Sequence, residues 1–177
     1  PKDQRWSRTS PQHLDLASMA RLFPRGFFKE TFTVVRHPVA RLRSVFQFQR
    51  DAVWQLPAEM SFSDWLAELP AIRAQDPFYL DNHPRPMTEF VPEDCTVFHL
   101  EQGLDPLVDW LDQLAGATYK PRSIPLKNNF KQRMNFQGRE IRQVSVTEED
   151  RALIGRLYAE DFERFGYDAK DESEGAA

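Results

Sequence analysis

One short stretch constrains this chain more than any other. Thr31-Phe32-Thr33-Val34-Val35 is β-branched and aromatic, and Arg36-His37-Pro38 follows it directly. Such residues fit a pleated surface, so the run predicts a strand with much of both faces covered. Proline suits the first turn of a helix, and Val39, Leu42, Val45 and Phe46 then lie along one helical side. Strand, short turn and proline-started helix make half of a βαβ unit. Thr96–Leu100 reads as a second strand. The fold class is therefore α/β, with few strands visible.

The rest of the punctuation agrees. Ser10-Pro11 predicts an N-cap opening a helix to about Phe23, with Leu16, Met19, Ala20 and Phe23 on one face. Pro24-Arg25-Gly26 ends it. Ser61-Phe62-Ser63-Asp64 has the form of a capping box before Trp65, Leu66 and Leu69. Pro77, Pro84, Pro86 and Pro92 make residues 76–94 an irregular loop. Asp105-Pro106 predicts the cap of a helix through Leu107, Leu111 and Leu114, closed by Gly116. Thr147 with Asp150 opens a last amphipathic helix carrying Leu153, Ile154, Leu157, Tyr158 and Phe162.

A length of 177 residues suits one domain, expected over residues 1–168, with a frayed tail at Ala169–Ala177. No run approaches the roughly 20 apolar residues of a membrane-spanning helix. The N-terminus lacks the apolar core of a secretory signal. Cys95, the sole cysteine, excludes an internal disulfide and a cysteine-rich zinc site and fits a reducing, cytoplasmic compartment. The net charge of −4 hides an asymmetry. Residues 1–50 carry +7, residues 51–117 carry −11, residues 118–143 carry +6 and residues 144–177 carry −6. The two basic segments either converge on an anion or are solvated surface. An isoelectric point near 5.6 and the lack of a basic-aromatic RNA signature argue against a nucleic-acid partner.

The chemistry concentrates in Thr33–Ser44. An arginine at the carboxyl end of a strand lies where open α/β sheets bind ligands, and a guanidinium grips phosphate bidentately. The helix from Pro38 aims its free N–H groups at the same space. Ser44, under two turns into that helix, adds a hydroxyl if the helix packs across the site. The plainer alternative pairs Arg36 with an acidic neighbour and leaves Ser44 on the surface.

Arg36, Pro38, Arg41 and Ser44 fall in register on Arg-x-Pro-x-x-Arg-x-x-Ser. That pattern resembles the 3′-phosphate-binding segment of the sulfotransferases that use 3′-phosphoadenosine 5′-phosphosulfate (PAPS). His13 is similar to a histidine that opens a helix upstream of the arginine in the carbohydrate, bacterial-type branch. His83, Pro86, Cys95, Phe98 and Glu101 look like that branch's middle motif, and Tyr158 through Tyr167 looks like its ending. The resemblance covers most of residues 10–167. It implies a P-loop-NTPase-like sulfotransferase fold, a central parallel sheet flanked by helices. It also implies that Arg36 and Ser44 hold the donor's 3′-phosphate. The family's Pro-Lys-Thr-Gly-like loop for the 5′-phosphosulfate is not found, since Pro1-Lys2 runs into Asp3-Gln4-Arg5. The first strand-loop-helix of that fold is therefore expected to be missing here.

The implied reaction moves a sulfuryl group from PAPS to a hydroxyl of a carbohydrate or small-molecule acceptor. In-line transfer between oxygens depends on positioning and charge stabilisation, and the acceptor proton needs a general base. His13 is the catalytic candidate. Counted from Ser10 it is the third helical residue, where the dipole disfavours imidazolium and keeps a nitrogen free to accept. A local cap contact is its plainer alternative.

His37 reads as structural, His99 as a packed or edge side chain, and His83 as ordering its loop in preference to touching an acceptor. No His-x-x-x-His spacing occurs, so no metal is expected. Cys95 reads as a small buried hydrophobe, and the tryptophans and phenylalanines as mostly core. The basic residues Lys120, Arg122, Lys127, Lys131, Arg133, Arg139 and Arg142 either close over the nucleotide, bind an anionic acceptor, or are solvated. Two rival readings stand beside the sulfotransferase: a nucleotide-dependent kinase-like enzyme, and an inactive sulfotransferase-like fold that binds an anionic partner.

Overall fold

The computed structural model describes residues 8–116, 123–124 and 142–169. Among them β1 (Phe32–Val35) and β2 (Thr96–His99) pair in parallel, with Phe32 opposite Thr96 and Val35 opposite His99. A parallel pair needs a crossover, and α2 (Pro38–Gln47) and α3 (Phe62–Gln75) lie within it. α1 (Leu16–Leu22) precedes the sheet; α4 (Asp105–Leu114), α5 (Glu148–Leu157) and α6 (Ala159–Phe165) follow it. This is a mixed α/β fold, a small parallel sheet flanked by helices.

Local chemistry sets several of these boundaries. Pro38 opens α2, which buries Val39, Leu42, Val45 and Phe46. The Ser61 hydroxyl caps α3 by accepting from the Asp64 N–H at 3.0 Å. Thr147 and Asp150 form a complete capping box on α5, with reciprocal bonds of 3.1 and 2.9 Å. Such caps stabilise a helix by about 1 kcal/mol each. The helices then pack around Leu42, Phe46, Trp65, Leu66, Ile154 and Tyr158, while Val35, Met87, Val91 and Phe165 form a smaller cluster. Each fully buried aliphatic or aromatic side chain is worth roughly 1.5–3 kcal/mol.

The structure corrects four expectations. The predicted helix from Ser10 is broken: a single 3₁₀ turn spans Pro11–His13, and α1 starts at Leu16. The cap of α1 is Asp15, whose carboxylate accepts from the Ser18 N–H at 2.6 Å. At α4 the capping position belongs to Leu104, so Asp105 and Pro106 are the first helical residues. The last helix breaks at Tyr158 (φ −122°, ψ 27°), whose hydroxyl donates to the Pro84 carbonyl. Finally, β1 is not covered on both faces. Val35 is 1% exposed, but Phe32 and Val34 are 46% and 38% exposed. Trp110 shields that side in part, its ring 5.4 Å from Phe32 and 6.0 Å from Phe98.

The aromatics are likewise less buried than expected. Trp65, Phe46, Phe62, Phe162 and Phe165 are core, whereas Trp54, Phe27, Phe28 and Phe32 are exposed. Residues 170–177 of the expected tail lie outside the described residues, as do 118–122 and 125–141 of the basic segment. Arg142, near that segment's end, donates to the Ala58 carbonyl at 2.7 Å, and its own carbonyl accepts from Gln47 at 2.9 Å. Among the described residues no helix is long and apolar enough to cross a membrane.

Candidate functional site

Two loops far apart in sequence meet at His13. Its Nδ1 lies 2.8 Å from Asp81 Oδ2 and 2.9 Å from Ser10 Oγ. Ser10 donates twice to the same carboxylate, from Oγ to Oδ2 and from its N–H to Oδ1, both at 2.7 Å. The single hydroxyl hydrogen is thus engaged by Asp81, so the hydrogen between Ser10 and His13 must sit on Nδ1. Nε2 is then the nitrogen that carries the lone pair. Burial alone would push the Asp81 carboxyl up; the bonds from Ser10 and His13 outweigh it and hold Asp81 below the usual carboxylate value. An ionised acceptor therefore faces His13 at neutral pH. The expected helix dipole plays no part, because His13 ends a three-residue turn.

The second loop is strained. Leu80, Asp81 and Asn82 all have left-handed backbone, with φ of 50°, 55° and 67°. Each such residue costs roughly 1–2 kcal/mol, least for Asp and Asn. Burial of the Leu80 side chain offsets its share. Asn82, 1% exposed, donates to the His13 carbonyl at 2.9 Å. The turn thereby presents Asp81 to one loop while anchoring itself in the core and on His13. Strain of this kind persists where the surroundings over-determine it, and it concentrates at working sites.

His83 completes the cluster, its ring centroid 4.3 Å from that of His13. Its Nδ1–H donates to the Leu80 carbonyl at 2.7 Å, so Nε2 carries the lone pair. Burial pushes the His83 pKa down, favouring the neutral ring. His13, Asp81 and His83 each offer a donor atom, all within 4.8 Å of one another. This grouping has no spacing signature, since His13 and Asp81 are separated by 68 positions.

Arg36 stands at the end of β1, half-buried and close to Glu101. Burial draws its pKa down and the Glu101 charge draws it partly back; an arginine remains a cation throughout. Glu101 is itself held by the His37 N–H at 2.8 Å and the Tyr167 hydroxyl at 3.1 Å. Burial and then Glu101 push Tyr167 far above its ordinary range, so its phenol stays protonated and donates. Among the described residues no hydrogen bond engages the Arg36 guanidinium or the exposed Ser44 hydroxyl. Arg41, also on the Arg-x-Pro-x-x-Arg-x-x-Ser pattern, faces elsewhere: its Nη2 donates to the His83 carbonyl at 2.8 Å. Helix α2 therefore links the two regions along the chain: Arg36 lies immediately before it, and Arg41 within it holds the His83 carbonyl.

The C-terminal helices clamp the same loop. Tyr158 donates to the Pro84 carbonyl, and Asp161 accepts from the Met87 and Thr88 N–H groups at 2.8 Å each. Burial pushes the Tyr158 hydroxyl up to about 12, which keeps it a donor. Within the Tyr158–Tyr167 motif, Tyr158 and Asp161 thus hold the loop after His83, while Tyr167 reaches Glu101 beside Arg36. His37 bonds the Asp168 carbonyl and His99 the Phe165 carbonyl, so both are structural. Cys95 is half-buried beside the Val35 cluster, and burial raises its thiol pKa. Asp81 is the residue sequence reasoning missed. Its signal was Asp81-Asn82, a pair tolerant of left-handed backbone, directly ahead of His83.

Compared with known proteins, residues 1–168 match the model of the Sulfotransferase family. No curated protein matches the chain, and no solved structure does.

Proposed function

Since this chain belongs to the sulfotransferase family, we propose that it transfers a sulfuryl group from PAPS to a hydroxyl of a carbohydrate or small-molecule acceptor. The Ser10–His13–Asp81 contact carries the reading. A carboxylate holds Nδ1–H, so Nε2 accepts the acceptor's proton as its oxygen attacks sulfur. Asp81 then stabilises the imidazolium, as the third member of a nucleophile–base–orienter chain does. The donor brings an activated sulfuryl group on a phosphate leaving group.

Arg36 and Ser44 are the residues this reading assigns to its 3′-phosphate. Arg36 is a partly desolvated cation beside Glu101, and its guanidinium can give a phosphate charge-assisted bonds in competition with that carboxylate. Ser44 supplies a hydroxyl from the following helix. The sugar acceptor, the bacterial-type branch and the cytoplasmic setting rest on the resemblances at His13, His83–Glu101 and Tyr158–Tyr167 and on the lone cysteine. The single-domain reading of residues 1–168 is part of the same proposal.

Thermal shift with 3′,5′-adenosine bisphosphate, ATP and a heparin-like polyanion tests it. Stabilisation by the bisphosphate alone is the expected result. A response to ATP alone replaces it with the kinase-like reading, and one to the polyanion alone with the inactive binder.

A further inference from the structure

We propose that His13, Asp81 and His83 bind a transition-metal ion of the Zn²⁺ class, and that the ion, taken by His13 at the Nδ1 that faces Asp81, inhibits sulfuryl transfer by shifting the ring proton from Nδ1 to Nε2 and so leaving no lone pair for the acceptor. Two imidazoles and a carboxylate are a donor set suited to zinc, copper, cobalt and nickel. Three protein ligands with an open fourth position form a common exposed zinc arrangement.

The geometry is near what an ion requires. The three donor atoms lie within 4.8 Å of one another. Bonds of about 2.1 Å in a tetrahedron place donors about 3.4 Å apart. The side chains of His13 and Asp81 are 26% and 36% exposed, so rotation about their own bonds can bring them inward. Supporting contacts are already built. The Leu80 carbonyl takes the Nδ1–H of His83, which orients the ring and makes Nε2 its ligand atom. The Ser10 N–H holds one oxygen of Asp81. The left-handed turn carries Asp81 two positions ahead of His83, so one backbone segment holds two of the three ligands. The Arg41 guanidinium, the arginine whose charge reaches His83, is tied to the His83 carbonyl.

Binding does not depend on the enzyme reading. Inhibition does, because it requires His13 to be the base. The experiment separates them. The metal-free full chain is titrated with Co²⁺, followed by its visible d–d absorption, and the cobalt is then displaced with Zn²⁺. One ion per chain is expected, with affinity at least tenfold weaker in His83→Ala and in His13→Gln and unchanged in Cys95→Ser. Far-ultraviolet circular dichroism selects the variants that remain folded. Absence of a one-to-one cobalt band, or parental affinity in both folded histidine variants, overturns the site. In the second arm, Zn²⁺ stops turnover over the range in which it displaces cobalt. Full turnover with zinc bound overturns the inhibition and removes His13 as the base, while the cobalt titration still decides the site.

Discussion

The Arg36–Ser44 segment and the His13 cluster are built in opposite ways. The first is contiguous: one strand end, one turn and one helix carry both residues, and local sequence signals mark each piece. The second joins two loops whose partners are 68 to 71 positions apart. It is held by side-chain bonds to Asp81 and by a turn that puts Leu80 in a backbone region leucine avoids. The first offers charge; the second offers direction. A cation holds an anion from many angles, whereas proton transfer needs an oriented lone pair. Damage to the two regions should therefore separate into lost affinity and lost turnover.

The sharpest break of that contrast is His13→Ala. Turnover should fall by about 10²–10⁴-fold, the usual contribution of a general base, with bisphosphate affinity nearly unchanged. Steady-state kinetics and calorimetry on the same preparation read both. Arg36→Ala should give the converse pattern, weakening bisphosphate binding by roughly 1.5–3 kcal/mol, about 10- to 150-fold. Unaltered affinity removes Arg36 from the site.

Asp81→Asn keeps the volume and removes the charge that orients His13. A fall in kcat of about tenfold at near-constant KM is expected, since the lost interaction strengthens only as the imidazole charges. A rise in KM with kcat unchanged places Asp81 in acceptor binding instead.

The smallest effect is on stability against pH. At Asp15, as at Asp81, burial would raise the pKa, yet local hydrogen bonds and nearby cations hold it below the ordinary 3.8. A depressed carboxylate contributes stability above its unfolded pKa and loses it as pH falls through the lower folded value. Tm should thus be insensitive to these two groups between about pH 5 and 7 and decline below about pH 4, less steeply in Asp81→Asn. Equal slopes in parent and variant sink this reading of Asp81.

Much of this molecule was legible before any contact was known. The strand Phe32–Val35, the proline-started α2, the second strand and the caps at Ser61 and Thr147 follow from residues a few positions apart. Two of the errors share one cause. Ser10 looked like a helix cap, but its hydroxyl bonds Asp81. The final helix looked continuous, but Tyr158 turns aside where its hydroxyl meets Pro84. In each case a partner roughly seventy positions away outbid the local preference.

Short-range order in the chain decided the α/β class, the helix starts and the placing of Arg36 and Ser44 on one strand–turn–helix unit, because neighbours along a backbone interact whatever the rest does. The exposure of Phe32 and Val34, the pairing of His13 with Asp81, the tilted ring contact of His83 beside it and the anchoring role of Arg41 were decided only on folding. Those features depend on groups that meet through the packing of α2, α3, α5 and α6, and no spacing within a single segment encodes such a meeting.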